Sequence, residues 1–250
     1  MTTFSVHKAT VAELPLIWVE PTTVAPRKLV IWLTGFSGHK EALQENLFDL
    51  ARHGFVGLSF DPFQHGERRI EPNEQLRTRV RGNIRRYFWP ILAQTAEETP
   101  TIIDWAIKEL GVANQVGMGG ISMGGDISIA AAGLEHRITT VAAAVATPDW
   151  LRPGSFEPQG APDALAQACY ERCNPLTHLA NYAHTPAITF QCGAEDQQVP
   201  PDGAQRFAAA LQATYAQYPE RLEVYLQPST VHKFTAEMWQ KSLRWFARYL

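Results

Sequence analysis

The sequence predicts an α/β fold: a mainly parallel, doubly wound sheet with helices on both faces, in a single domain spanning residues 1–250. Three observations lead to it. Short apolar runs of strand length alternate with stretches of helical periodicity along most of the chain. The runs are apolar throughout, as expected of strands covered on both faces. Glycines 54 and 111 close the helical stretches that precede them.

Leu14 to Glu20 and Lys28 to Leu33 read as strands joined by a turn containing Pro21 and Pro26. A glycine loop, Thr34 to Gly38, follows. Leu43, Leu47 and Leu50 then recur on one helical face, and Phe55 to Phe60 is the next strand, closing on Asp61. From Asn83 to Leu110 the periodicity is helical, with Pro90 and Pro100 expected to break or restart it. Strand Gln115 to Ile121, helix Met123 to Gly133 and strand Thr139 to Ala146 come next. Strand Ala187 to Cys192, helix Asp202 to Tyr215, strand Leu222 to Leu226 and helix Ala236 to Tyr249 complete the order. Two stretches break the rhythm, about 62–87 and 148–186, the second held to short pieces by Pro153, Pro158, Pro162 and Pro175. Loops this long in a compact domain are usually functional or flexible, and both are expected as insertions over the ligand side of the sheet.

A formal charge of -3 supplies no global attraction to nucleic acid or to an anionic membrane, and neither is an expected partner. No run of eighteen apolar residues occurs, and the first twenty residues lack a basic leader with an apolar core; the expectation is an unanchored cytoplasmic protein. Cys169, Cys173 and Cys192 form no CxxC and match no histidine pair at zinc spacing. They read as reduced packing thiols, and no metal or organic cofactor is expected.

Gly117 to Gly125 reads GMGGISMGG, five glycines in nine residues. Each interior glycine costs about 0.5–1 kcal/mol relative to alanine, so the bend must require them. Ser122 lies in Gly120-Ile121-Ser122-Met123-Gly124, the G-x-S-x-G pattern of a nucleophile elbow between a buried strand and a helix. A Cβ two residues to either side would collide across the turn. Gly119 and Gly125 are expected to let the helix sit close to the strands.

A serine hydroxyl needs a base, and the base an orienting acid; in this architecture they follow in the order serine, acid, histidine. Asp196 closes Gly193-Ala194-Glu195-Asp196 after one late strand, and His232 lies in Ser229-Thr230-Val231-His232 after the next. Glu195 is an alternative acid, with Asp196 preferred because the strand end orients only one of the two inward. The reaction also needs donors aimed at a developing oxyanion. The amide of Met123 at a helix N-terminus and that of Phe36 in the loop after the second strand are the candidates.

LTGFSG, FDPFQHGER, GISMGG, GAEDQQVP and STVHKF, in that order, resemble the α/β-hydrolases of the compact bacterial carboxylesterase type, near the dienelactone hydrolases and prolyl-oligopeptidase-like esterases. The resemblance covers nearly the whole chain. It implies an α/β-hydrolase fold with small lid-like insertions and places the Asp61 to Arg68 loop beside the active site. Asp61 is expected to cap a turn there, and His65 to be either structural or substrate-facing. Two departures matter: Thr34-Gly35 stands where many relatives have His-Gly, and Ser122 where dienelactone hydrolases proper use cysteine, which disfavours the dienelactone reaction. Gly35, His65, Trp89 and Trp150 are expected to border the substrate, with other aromatic residues of the insertions completing an acyl pocket.

Seven arginines between Arg68 and Arg86 face only Glu71 and Glu74 in that stretch. They fit recognition of an anionic substrate group, a carboxylate or an acyl-CoA phosphate, or a solvated helix face whose partners lie elsewhere. The expected activity is that of a serine carboxylesterase on small carboxylic esters, through an acyl-enzyme. The expected partner is a small-molecule ester, and the assembly a monomer or a homodimer. The alternatives are an acyl-CoA thioesterase or a peptidase with the same triad, or a hydrolase-fold binding protein without catalysis.

Overall fold

Runs that are apolar on both sides end up in the middle of the sheet, because only there are both faces covered. In the computed structural model, which describes residues 4–21 and 27–250, one sheet contains β1 (Val6–Val11), β2 (Leu14–Val19), β3 (Lys28–Leu33), β4 (Phe55–Phe60), β5 (Val116–Ile121), β6 (Ile138–Ala144), β7 (Ala187–Gly193) and β8 (Leu222–Gln227). Their spatial order is β1-β2-β4-β3-β5-β6-β7-β8. β1 pairs antiparallel with β2, and β2 antiparallel with β4; every pairing from β4 to β8 is parallel. The helices are α1 (Gln44–Arg52), α2 (Asn73–Gly82), α3 (Ile84–Leu110), α4 (Met123–Leu134), α5 (Ala164–Cys173), α6 (Asp202–Ala210) and α7 (Ala236–Tyr249).

Successive strand residues point to opposite faces, and β3 shows the result. Leu29, Ile31 and Leu33 join the core under α3, α4 and α6, whereas Val30 and Trp32 join the core under α1 and α7. All eight strands belong to one sheet. Parallel neighbours bring their C-terminal ends to one edge, and the loops after β3, β5, β7 and β8 therefore meet there. Among the described residues no helix is long and apolar enough to cross a membrane.

Several elements differ from the sequence expectation. β1 escapes the pattern because its residues are only partly covered, and it turns into β2 through Ala12 and Glu13, both at positive φ (47° and 67°) without a glycine to signal the turn. The turn expected at Pro26 lies outside the described residues. α3 runs unbroken through Pro90 and Pro100. Each proline costs about 3 kcal/mol in a helix interior, and the helix persists because residues along its length, from Ile84 to Leu110, are buried in one core. It begins at residue 84, capped by Asn83, whose side-chain oxygen accepts from the Arg86 amide at 3.0 Å. Residues 62–87 are therefore not a loop but a short 3-10 turn, α2 and the start of α3. The 148–186 stretch holds the ten-residue α5 and two 3-10 turns. The helix expected to reach Tyr215 stops at Ala210, and non-helical turns carry the chain on to Tyr215, whose hydroxyl donates to the Pro186 carbonyl at 2.7 Å. Gly119 makes room for the Trp32 ring, 2.6 Å from where its Cβ would stand, and not for α4; Gly125 does serve the helix, letting it approach Ala146.

Candidate active site

Ser122 lies between β5 and α4 at φ 52°, ψ -112°. Such a conformation costs of order 1–3 kcal/mol and persists only where its surroundings dictate it. The surroundings here are main chain. A Cβ on Gly120 would lie 2.6 Å from the Gly124 carbonyl carbon and 2.7 Å from the Leu33 oxygen, and one on Gly124 would overlap that same Leu33 oxygen. The Ser122 amide donates to Ala144 O at 2.8 Å, and its carbonyl accepts from the Asp126 amide at 2.9 Å. Both ends of the elbow are therefore tied.

The loops after β7 and β8 meet it from the other side. His232 Nε2 lies 3.0 Å from Ser122 Oγ, and Nδ1 lies 2.7 Å from Asp196 Oδ2. Asp196 is buried, and its second oxygen accepts from the Gln198 and Val199 amides at 2.9 and 2.8 Å. A carboxylate so held fixes Nδ1 as the protonated nitrogen, leaving the Nε2 lone pair for the serine hydroxyl. The two loops are joined by main chain: Ala194 N donates to Gln227 O and Glu195 N to Thr230 O, both at 2.9 Å. The Glu195 side chain stays exposed outside the series.

Gly35 borders the serine: a Cβ there would stand 3.4 Å from Ile121 O and 4.0 Å from Ser122 Cβ. The Thr34 to Gly38 loop closes on itself by Gly38 N to Gly35 O at 3.0 Å, a bond that leaves the Phe36 amide out. α2 clamps this loop. Arg77 Nε donates to Ser37 Oγ at 2.9 Å and Asn73 Nδ2 to Ser37 O at 3.2 Å. Met123 is the first residue of α4, so its amide has no acceptor within the helix. Behind the loop, buried Asp61 accepts from Lys40 N, Lys40 Nζ and Glu67 N, each at 2.9 Å, and thereby caps two turns at once. Burial works against the Lys40 charge, but Glu67, Asp61 and Glu41 outweigh it and hold that ammonium above the ordinary lysine range.

Three residues expected beside the substrate are interior. His65 is fully buried, with Nδ1 bonded to Phe63 O at 2.8 Å; burial depresses its pKa and keeps the ring neutral. Trp89 and Trp150 are 2% and 1% exposed. The Trp89 indole donates to Trp150 O at 2.9 Å and stacks on Tyr170 at 4.6 Å, filling the space between α3 and the second insertion. Open space lies instead beside His232, where a groove of about 600 Å³ is lined by Phe156, Glu195, Gln198, Val231 and His232 among others. Of the arginine stretch, Arg68, Arg79 and Arg86 pair with Glu98, Glu71 and Asp163. Much of that charge is thus committed within the chain.

Sequence reasoning missed a buried network that joins the two halves of the site. Arg152 Nη2 donates to Asp126 Oδ2 at 2.6 Å and Nη1 to Glu157 Oε2 at 3.0 Å. Gln198 Nε2 donates to the other Glu157 oxygen at 3.1 Å, and its backbone amide holds Asp196. Burial opposes the Arg152 charge, and the two carboxylates more than restore it, leaving its pKa raised. The available signal was Asp126, the one charged residue in the otherwise apolar and small-residue helix MGGDISIAAAGL.

Residues 93–250 match the prolyl oligopeptidase family. The chain is 24% identical over 259 residues to YitV of Bacillus subtilis (strain 168), provisionally named an esterase, with 98% of this chain and 99% of that one covered. Among solved structures it is similar to TT1662 from Thermus thermophilus, with TM-score 0.77, 24% identity and coverage of 99% and 98%. It is also similar to a protein of Klebsiella pneumoniae subsp. pneumoniae MGH 78578, provisionally named a dienelactone hydrolase, with TM-score 0.73, 17% identity and coverage of 99% and 100%. At these identities the two structures speak to the fold.

Proposed function

The chain belongs to the prolyl oligopeptidase family and is a serine hydrolase of the α/β-hydrolase fold; from that premise we propose that it is a carboxylesterase acting on small carboxylic esters through an acyl-enzyme. The observation that carries the reading is the unbroken series from Ser122 Oγ to His232 at 3.0 Å and from His232 to Asp196 at 2.7 Å, with the serine on a strained elbow.

In the first half-reaction Ser122 Oγ attacks the ester carbonyl as His232 Nε2 takes its proton. Asp196 holds the imidazole in its tautomer and stabilises the imidazolium that forms. The carbonyl oxygen becomes an oxyanion facing the Met123 and Phe36 amides, donors of a kind worth about 2.7–4 kcal/mol each in the transition state. The intermediate collapses, the bond to the alcohol oxygen breaks, and His232 returns its proton to that oxygen. A water then attacks the acyl-enzyme, again deprotonated by His232; the carboxylic acid departs and the Ser122 hydroxyl is restored.

An ester is favoured over an acyl-CoA thioester because Arg68, Arg79 and Arg86 are engaged within the chain and no lysine or arginine lines the groove. The esterase name of the Bacillus relative points the same way. Buried, free Cys169, Cys173 and Cys192 support a reducing compartment, the cytoplasm. The test is hydrolysis of a p-nitrophenyl ester chain-length series beside acyl-CoA thioesters and peptide amides. Esters are expected to turn over fastest, with Ser122→Ala lowering kcat by about four to six orders of magnitude. Unchanged turnover in that variant would refute the assignment, and a wild-type protein that a fluorophosphonate fails to label would be a binding protein.

A further inference from the structure

We propose that the groove beside His232 is the subsite for the alcohol portion of the ester, and that it selects alcohols that are apolar and positively charged. The inference rests on the esterase reading above.

Acid catalysis dictates where the alcohol must sit. His232 hands its proton to the departing oxygen, so the leaving group has to lie against the imidazole. The groove of about 600 Å³ is the open space that His232 and the acid loop share, and its size suits an aromatic or branched group. Two of its walls are apolar side chains in water: Phe156 is 70% exposed and Val231 57%. A bound alcohol would cover both. Phe156 is held in place through its own backbone, with its amide donating to Gln197 O at 3.1 Å, so the ring stands on a fixed wall.

The charge of the groove is one-sided. Two of its lining residues are carboxylates. Asp196 is committed to His232 and to two amides. Glu195 is exposed, on a main chain tied to Thr230 O, and takes part in no ion pair among the described residues. No lysine or arginine lines the groove itself; Lys233, next to His232 in the chain, is not part of it, and exposed Arg81 lines the adjoining pocket that shares Phe156 and Gln198. A cation placed over the Phe156 face and near Glu195 gains from both the ring and the carboxylate. An anion there meets an unneutralised carboxylate.

Three acetates test this: 3-(trimethylammonio)phenyl, 3-tert-butylphenyl and 3-carboxyphenyl acetate, cationic, neutral and anionic at similar size. All three give the same acetyl-enzyme, so deacylation is common to them and the groove is read in kcat/KM. Each value is divided by the rate of alkaline hydrolysis, which removes intrinsic reactivity. The wild type is expected to favour the cationic ester, with the preference shrinking as salt is raised. Glu195→Gln should lower the cationic-to-neutral ratio about three- to fivefold, the size a solvent-screened charge pair gives. Glu195→Lys should lower it further and raise the anionic ester. Phe156→Ala should lower kcat/KM for both the cationic and the neutral ester. If the neutral ester is hydrolysed and the ratio stays the same in both Glu195 variants, the subsite assignment falls and the esterase reading stands. Failure of the wild type to hydrolyse any of the three would count against the esterase reading itself.

Discussion

Ser122 keeps its unusual backbone because the atoms opposite Gly120 and Gly124 are main chain of β3 and of the elbow itself, which no rotamer change can move aside. Overpacking against flexible side chains costs about 1–3 kcal/mol; against a strand carbonyl it costs more. Gly124→Ala, whose methyl would overlap the Leu33 carbonyl, is therefore expected to lower the melting temperature and abolish turnover together. Gly82→Ala is the contrast, because nothing lies within 4 Å of its added Cβ. That change should leave activity alone and keep or raise stability by up to about 1 kcal/mol. Thermal melts and ester turnover on the two variants check the pair, and equal effects would mean that the elbow is not held by contact with β3.

At the scale of elements, the insertions act as braces rather than as a loose cover. α2 holds the Thr34 to Gly38 loop through Ser37. The segment after β6 reaches both α4, through Arg152 to Asp126, and the acid loop, through Glu157 to Gln198 and Ser155 Oγ to Gln198 O at 2.7 Å. Removing the cation would strand a buried carboxylate, a loss of about 3–5 kcal/mol. Arg152→Met should accordingly melt about 6 to 20 °C lower for a domain of this size. Its kcat should fall more than its KM rises, since Asp196 and Ser122 lose a common support. Pairing it with Asp126→Asn should recover part of the stability, because the orphan charge is then gone. A single Arg152 variant melting within a degree of wild type would show that the network carries no load.

For the whole molecule, pH acts through two histidines, the buried His65 and the half-buried His184. His65 and His184 both have depressed pKa values, His65 through burial and the nearby Arg68 charge, His184 through burial and the stacked His136 ring at 4.3 Å. The unfolded chain takes up these protons near the ordinary histidine value of about 6.5, before the folded one does. Stability from this source is complete above that pH and is lost as pH falls through it toward the lower folded values. Melting temperature is thus expected to be level between about pH 7 and 8 and to decline below about 6.5. A melting temperature that rises on acidification from 6.5 to 5 would contradict the assignment.

What the sequence determined by itself was local. Apolar runs, a 3.6-residue period and glycine sterics are properties of neighbouring residues, so the order of β3 to β8, the elbow at Ser122, and the positions of Asp196 and His232 after their strands could all be read in advance. Tertiary structure alone decided the rest. It kept α3 whole through two prolines, made an edge strand of Val6–Val11, and turned His65, Trp89 and Trp150 into interior packing. It also joined Arg152 to Asp126 across 26 residues and Gln198 to Glu157 across 41. No period in the chain encodes contacts at such separations; they follow from where the parallel sheet delivers its loops and from the cost of leaving a charge buried alone.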